Sequence, residues 1–210
     1  MSRPTGRRVD REQRRVELAL QILRATDHLT EDDASFPSVG VERLASAAGI
    51  GRSTFYLYFQ DKTELLEVCF GPIGAELHEA TARWTAIDTA PTSDQMRDVL
   101  GGMAAVWRSH ATELSVIFDA TSYDPIIREV VEAATAVSVT QLTKHIRAGQ
   151  REGWVVPDVP PRETATWLIW MGQRGGHQLL RLEDEELLAQ FVDGYRDVVW
   201  RSLYALAPGP

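Results

Sequence analysis

Residues 49–66 read GIGRSTFYLYFQDKTELL and place four aromatic side chains within five consecutive positions. Gly49 stands where a helix that ends in the left-handed conformation needs a residue without a side chain. Residues 52–59 then predict a short helix in which Phe55 and Phe59 share one face at the i, i+4 spacing. Two short helices joined by a glycine-bearing turn are typical of a helix-turn-helix.

Two segments ahead of this stretch complete a small helical unit. Apolar residues recur at helical spacing over residues 16–29 and again over residues 41–48, after Ser38. Acidic residues, serine and proline over residues 30–38 separate the two helices. The sequence therefore predicts three short helices that bury one common core.

Capping residues and prolines divide the rest of the chain into further helices. Asp61 can cap the next helix with Glu64 in the capping-box position, and Gly71-Pro72 predicts a kink or a break in it. The remaining helices are predicted at residues 92–109, 111–120, 125–152, 162–182 and 184–206. We therefore predict an all-α fold of about nine helices, with a helix-turn-helix domain at residues 1–67 and a larger helical bundle at residues 68–210.

Charge is unevenly distributed along the chain. The net charge is −8, of which residues 1–70 contribute −1 and residues 71–210 contribute −7. Within the first fifteen residues, six arginines against two acidic residues give +4. A basic arm ahead of a helix-turn-helix indicates contact with a nucleic-acid backbone. We expect Arg7, Arg8 and Arg11 to add phosphate or minor-groove contacts.

The helix at residues 52–59 divides its side chains between two surroundings. Its phenylalanines face the protein, whereas Ser53 and Leu57 point to the opposite side. In a major groove, hydroxyls and arginine read base edges and an apolar side chain can touch a thymine methyl. The predicted base contacts are Arg52, Ser53, Thr54 and Leu57, and the predicted phosphate contacts are Tyr56, Tyr58 and Lys62. The alternative for both tyrosines is packing at the edge of a helix junction.

These residues resemble a known family. Residues 41–66, VERLASAAGIGRSTFYLYFQDKTELL, are similar to the DNA-binding domain of TetR/AcrR-family regulators, and the likeness covers about residues 9–70. The long acidic connection TDHLTEDDASFPS, residues 26–38, is similar to that of the EthR-like branch. Gly40 and Gly51 depart from the pattern, because most members carry a helix-favouring or capping polar residue there. The resemblance implies a one-component transcriptional repressor that binds a double-stranded DNA operator. A small apolar ligand would release the repressor from this operator.

The last two predicted helices are candidates for a dimer face. A single helix-turn-helix buries little DNA, and a dimer reads a palindrome through half-sites about 34–36 Å apart. Both helices are apolar, and the first contains glycines that allow close approach. The predicted homodimer interface comprises Gly172, Gly175, Gly176, Leu187, Phe191, Tyr195 and Val198. The alternative is that both helices are ordinary core of one chain.

Aromatic residues are concentrated in the carboxyl-terminal bundle. Five of the six tryptophans lie at or after Trp107. Large rings leave irregular gaps, and ligand sites are apolar with a few placed polar groups. The predicted pocket comprises Trp107, Phe118, Tyr123, Trp154, Trp167, Trp170, Met171 and Gln173. A densely filled core without a pocket is the alternative.

Signatures of catalysis and of metal binding are missing from the sequence. The five histidines form no i, i+4 pair with another histidine or cysteine, and no phosphate-binding glycine loop follows a strand. We expect no enzyme activity, no metal and no cofactor. Cys69 is the only cysteine, and no run approaches the ~18 apolar residues of a membrane helix, so we predict a cytoplasmic protein. The alternative function is a helical ligand-binding or adaptor protein with weak or lost DNA binding.

Overall fold

The computed structural model describes the backbone of residues 5–26, 36–179 and 184–205, and their side chains except those of residues 5–9 and 179. This part of the chain forms nine α-helices, a 3-10 turn at Phe36–Ser38 and no strand, which confirms the predicted fold class. None of the described helices is both long and apolar enough to cross a bilayer. The helices are α1 Thr5–Arg24, α2 Val41–Ala47, α3 Arg52–Tyr58, α4 Lys62–Thr85, α5 Ser93–Ser109, α6 Ala111–Ala120, α7 Pro125–Glu152, α8 Pro161–Leu179 and α9 Glu185–Leu203.

Local sequence accounts for most helix ends. At the start of α5, the Gln95 N–H donates to Thr92 Oγ1 at 3.2 Å and the Thr92 N–H donates to Gln95 Oε1 at 2.8 Å, which is a complete capping box. The Asp124 carboxylate accepts from two backbone N–H groups in the first turn of α7. Gly49 and Gly153, with φ of 70° and 84°, follow α2 and α7 in the left-handed conformation.

Helix α4 continues through Gly71-Pro72, so of the predicted kink or break the break does not occur. A proline inside a helix costs about 3 kcal/mol through a lost hydrogen bond and a steric clash. On the adjoining face, Cys69, Phe70 and Ile73 are at most 6% exposed. Burying each large apolar side chain contributes about 1.5–3 kcal/mol, so together they outweigh the proline.

The chain divides into two compact units whose boundaries fall within α4, after the first residue of α6 and within α7. The first unit is Met1–Gly74 with Thr112–Val131, and the second is Ala75–Ala111 with Glu132–Pro210. The first therefore includes α6, which the predicted division at residue 67 assigns to the bundle. Within the first unit, the buried Glu113 accepts from Arg24 Nε at 2.7 Å, which ties α6 to the end of α1.

The second unit has one apolar core built around Trp84, Met96 and Leu142. Inside it, the Tyr204 hydroxyl lies 3.0 Å from Trp84 Nε1 and 3.0 Å from His145 Nε2. An indole N–H only donates, so the hydroxyl accepts from Trp84, while its role toward the imidazole depends on the His145 tautomer. Burial lowers the pKa of the His145 ring.

Candidate nucleic-acid interface and apolar cavity

The turn between α2 and α3 has the geometry of a helix-turn-helix. The Ile50 N–H donates to the Ala45 carbonyl at 2.9 Å, and the Gly49 N–H donates to the Ser46 carbonyl at 3.0 Å. These two bonds form a Schellman motif, which requires the positive φ that Gly49 supplies. Helix α3 then starts at Arg52 in a new direction.

Helix α3 presents two different faces. Phe55 and Phe59 are 0% and 1% exposed, and their ring centroids lie 5.4 Å apart. On the other side, Tyr56 and Leu57 are 48% and 64% exposed. A leucine exposed to that degree contributes little to the packing of its own unit, so this face is available to a partner.

The amino-terminal turn of α3 is polar and open. Arg52 and Ser53 are exposed, Thr54 is half-buried, and the Arg52 guanidinium lies 5.6 Å from the centroid of the Tyr56 ring. The cation–π contact orients the arginine along the exposed face. Gly51 occupies the N-cap and forms no side-chain cap hydrogen bond, so no cap side chain covers this end of the helix.

The carboxyl end of α3 is held by Arg15 of α1. Arg15 Nε donates to the Tyr58 carbonyl at 3.0 Å, and its guanidinium pairs with Glu64 in the first turn of α4. Glu64 in turn accepts from the Gln60 N–H at 2.6 Å. We call this set, Arg15, Tyr58, Gln60 and Glu64, the Arg15 cluster. The sequence places Arg15 only in the basic arm, because the pairing spans 49 positions.

Replacing Arg15 by alanine is expected to lower the free energy of unfolding by about 2 kcal/mol, because it removes two charge-assisted hydrogen bonds to α3 and α4. Arg14→Ala is the matched control, because its arginine is 60% exposed and its ion pair with Glu17 is long, at 3.5 Å. It is expected to change stability by no more than about 0.5 kcal/mol. Urea unfolding curves of the two variants provide the comparison, and equal losses would contradict the assigned role.

Lys62 makes three hydrogen bonds within its own unit. Its ammonium donates to the carbonyls of Phe36, Pro37 and Val39 at 3.2, 2.8 and 3.1 Å, and lies 5.2 Å from the Phe36 ring centroid. Burial lowers the pKa of Lys62. The side chain fixes the turn that leads into α2, and a phosphate contact requires it to exchange one of these carbonyls.

The basic arm is only partly described. The side chains of Arg7 and Arg8 lie outside the described residues. Arg11 is exposed and borders a recess of about 380 Å³ together with Tyr56, Leu57 and Tyr58. The first unit therefore gathers Arg11 and three of the predicted α3 contacts around one recess.

The second unit contains a cavity of about 530 Å³ that opens to solvent on one side. Its walls come from α4, α5, α7, α8 and α9, and Trp107, Met171 and Gln173 of the predicted pocket line it. This volume lies within the range of pockets for drug-sized molecules. Helical periodicity identifies a buried face but not the part of it that borders a gap, so Trp107 is the one predicted residue among the described walls from α4, α5 and α7.

Five residues of the predicted pocket do not line this cavity. Phe118 and Tyr123 belong to the first unit. Trp154 packs in the core, where its ring centroid lies 5.0 Å from that of His145. Trp167 and Trp170 are 66% and 52% exposed on the outside of α8. The two exposed tryptophans follow from helical phase, since Leu168 and Ile169 between them take the buried positions.

All seven residues of the predicted dimer interface border the cavity. At two of the glycines, contacts within one chain already leave no room for a side chain. A Cβ at Gly172 would lie 2.9 Å from Tyr195 Oη, and one at Gly176 would lie 2.6 Å from the Trp107 ring. Gly175 has no such neighbour within 4 Å. The lining residues shared with the predicted interface are Gly172, Gly175, Gly176, Leu187, Phe191, Tyr195 and Val198.

The described side chains contain no group of three His, Cys, Asp or Glu residues that could hold a metal ion. Charged groups of the second unit form ion pairs on its surface. Arg97 binds Asp193 with Nε at 2.6 Å from Oδ1, and Arg108 binds Glu185 at 2.6 Å. These contacts join α5 to α9 across the surface of the second unit.

The helix-turn-helix region matches a known protein family. Residues 22–69 match the family described as "Bacterial regulatory proteins, tetR family". The chain has no match among curated proteins. Several solved structures share its fold, at identities that bear on the fold alone.

One such structure is a Rhodococcus sp. protein described as a TetR-family transcriptional regulator, with 19% identity, a TM-score of 0.68, and coverage of 89% of this chain and 98% of that chain. Another is the ketosteroid transcriptional regulator KstR2 of Mycobacterium tuberculosis, with 15% identity, a TM-score of 0.63, and coverage of 92% and 95%. A third is the fatty acid degradation regulator FadR from Bacillus halodurans, with 16% identity, a TM-score of 0.61, and coverage of 85% and 92%. Residues 22–69 therefore carry the tetR-family helix-turn-helix signature, and the chain as a whole has the fold of TetR-family transcriptional regulators.

Proposed function

We propose that the protein is a cytoplasmic one-component transcriptional repressor. It binds a palindromic operator as a homodimer and leaves it when a small apolar ligand enters the cavity. The observation that carries this proposal is the exposed face of α3, where Arg52, Ser53 and Leu57 project from a helix anchored by Phe55 and Phe59. We also assign it to the EthR-like branch, on the long connection at residues 26–38, most of which lies outside the described residues.

The contacts around α3 support a division of labour on DNA. Arg52 and Ser53 occupy the amino-terminal turn that a recognition helix directs at base edges. Tyr56 and Arg11 border the recess nearer the carboxyl end of α3, where phosphate oxygens would accept their hydrogen bonds. The Arg15 cluster holds this carboxyl end against α1.

Exposed apolar side chains support a homodimer. Of the eleven large apolar residues that are exposed in the described part of the chain, six lie on α8 and α9. We call these six the α8–α9 face: Trp167, Trp170, Met171, Leu187, Phe191 and Val198. A patch of this composition on a soluble chain marks a protein interface. Ligand and DNA need only prefer different conformers of the dimer, and their antagonism is then reciprocal.

Gel-shift titration on the DNA that flanks the protein's own gene tests the proposal. Binding that weakens steeply with salt, with a slope of about −0.9 per neutralised phosphate, supports the regulator. The uncapped start of α3 at Gly51 favours the alternative, a helical ligand-binding or adaptor protein. Absence of binding, or a slope near zero, would select that alternative.

Arg52→Ala is expected to weaken binding to the cognate operator by about 1–3 kcal/mol and to flatten discrimination between operator variants, because it removes a base contact. Tyr56→Phe serves as the comparison, since it removes a phosphate donor and weakens binding to all sequences about alike. The measurement is the dissociation constant on cognate and scrambled duplexes at one salt concentration. Equal losses on both duplexes from Arg52→Ala reject its role in base recognition.

A further inference from the structure

The described part of the cavity wall is made of uncharged side chains. Among the described residues that line the cavity, none is Asp, Glu, Lys, Arg or His. The one weakly acidic group, the Tyr195 phenol, donates to the Leu168 carbonyl at 2.6 Å, and burial raises its pKa. Polar contacts are left to neutral groups, which include the amides of Gln173 and Gln190. Gln173 Nε2 donates to Thr135 Oγ1 at 2.9 Å, and this bond holds the amide in place.

On one side of the cavity, the lining residues are themselves exposed to solvent. Met171, Leu187, Phe191 and Val198 line the cavity and are nevertheless 42%, 36%, 51% and 41% exposed. They come from α8 and α9, whereas walls from the interior contain buried residues such as Trp107. A ligand in this cavity would therefore remain open to water along the α8–α9 face.

A second copy of the chain could cover the open side of the cavity. The α8–α9 face also carries two exposed rings, Trp167 and Trp170, whose centroids lie 5.8 Å apart and which precede the lining residue Met171 on α8. A two-fold interface brings the same patch together on both subunits, so a patch with both a projection and a recess can complement itself. The mouth is continuous with the face on which the proposed homodimer rests.

We propose that the second copy completes the ligand site, and that the site takes an uncharged, largely apolar molecule with a hydrogen-bonding group for a glutamine amide. This inference rests on the proposed function. Closing the mouth removes water from the outer wall, whereas burying a charged ligand beside neutral groups leaves its charge uncompensated. Ligand binding and dimerisation consequently promote each other.

Two fluorescent dyes that differ by one charged group test the ligand class. N-phenyl-1-naphthylamine is neutral, and 8-anilino-1-naphthalenesulfonate is the same ring system with a sulfonate. We expect saturable binding of the neutral dye to the intact protein, and binding of the sulfonate weaker by about tenfold or more. Equal affinities, or no saturable binding of the neutral dye, overturn the inference.

A pair of glycine variants locates the dye. Gly175 lines the cavity and has open space around its Cβ position, so Gly175→Leu fills the cavity without a backbone clash. Gly101 also has open space and lies outside the lining, which makes Gly101→Leu the control. Gly175→Leu is expected to weaken the neutral dye by about tenfold, and Gly101→Leu to leave it unchanged. Unchanged binding in both variants overturns the inference.

A charged variant tests the role of the second copy. Trp167 and Trp170 do not line the cavity, so the double variant Trp167→Glu/Trp170→Glu attacks the face alone. We expect a folded monomer by sedimentation and circular dichroism that binds the neutral dye about tenfold more weakly than the wild type. A monomer that binds as tightly as the wild type overturns the inference and leaves the proposed repressor intact. If the variant stays dimeric, or if the wild type is a monomer, both the inference and the proposed dimer face are wrong. Gel shifts on the same samples measure DNA binding separately.

Discussion

Phe55→Ala is expected to lower the free energy of unfolding of the first unit by about 3–5 kcal/mol, and so to abolish DNA binding. The Phe55 ring is 0% exposed and packs 5.4 Å from the ring of Phe59. Its removal leaves a cavity in a unit with a small core, which cannot collapse to fill it. A loss of this size is a large part of the stability of an ordinary domain.

Leu57→Ala is the matched control two positions along the same helix. Leu57 is 64% exposed, so its truncation is expected to change stability by no more than about 0.5 kcal/mol. If Leu57 faces the major groove, its truncation weakens binding to a thymine-containing operator while the fold persists. Thermal unfolding followed by circular dichroism, with gel shifts on the same samples, separates the two effects. Similar destabilisation by both variants would mean that α3 does not turn its phenylalanines inward.

Arg24→Ala is expected to destabilise the first unit by about 3 kcal/mol, because it leaves the carboxylate of Glu113 buried without its partner. The carboxylate is only 2% exposed and lies 2.7 Å from Arg24 Nε. It also lies in the first turn of α6, where the helix dipole favours a negative charge. That stabilisation, together with the 58% exposure of the Arg24 side chain, places the expected loss at the lower end of the range for broken buried pairs.

Arg83→Ala is the control for this second variant. Arg83 and Glu79 also form an ion pair, at 3.1 Å, but both side chains are about 70% exposed. An exposed pair contributes about 0–1 kcal/mol, so denaturant unfolding should distinguish the two arginines clearly. Adding Glu113→Leu to Arg24→Ala is expected to recover part of the stability, since no charge then remains buried. If Arg24→Ala does not lower the free energy of unfolding and the added Glu113→Leu does not raise it, the ion pair does not hold α6 in place.

Where one or two turns of chain decide the structure, the sequence predicts it correctly. Asp61 caps α4 as predicted, since its carboxylate accepts from the Glu64 N–H at 2.9 Å. Gly49 adopts the positive φ that its place after α2 requires. Each of these features depends on groups within a few residues of one another, so spacing along the chain is sufficient information.

The sequence predicts the structure less completely where contacts between distant segments of the chain determine it. The proline at position 72 remains inside α4, because the tertiary core buries the face next to it. Lys62 is predicted as a phosphate contact, and in the structure its ammonium binds carbonyls 23 to 26 positions away. Trp167 and Trp170 are predicted to line a pocket and instead lie on the outer face of α8. Composition identifies an aromatic-rich helix, but only its packing selects the side that is buried.

The sequence by itself determined an all-helical chain, the helix-turn-helix at residues 41–59 and the two-sided character of α3, because helical periodicity and caps are local. Only the tertiary structure decided that Arg15 holds α3 and that the predicted dimer residues also border a cavity whose described lining is uncharged. These features join groups that are tens of residues apart in the chain. Their meeting depends on how whole helices pack, which no single segment encodes.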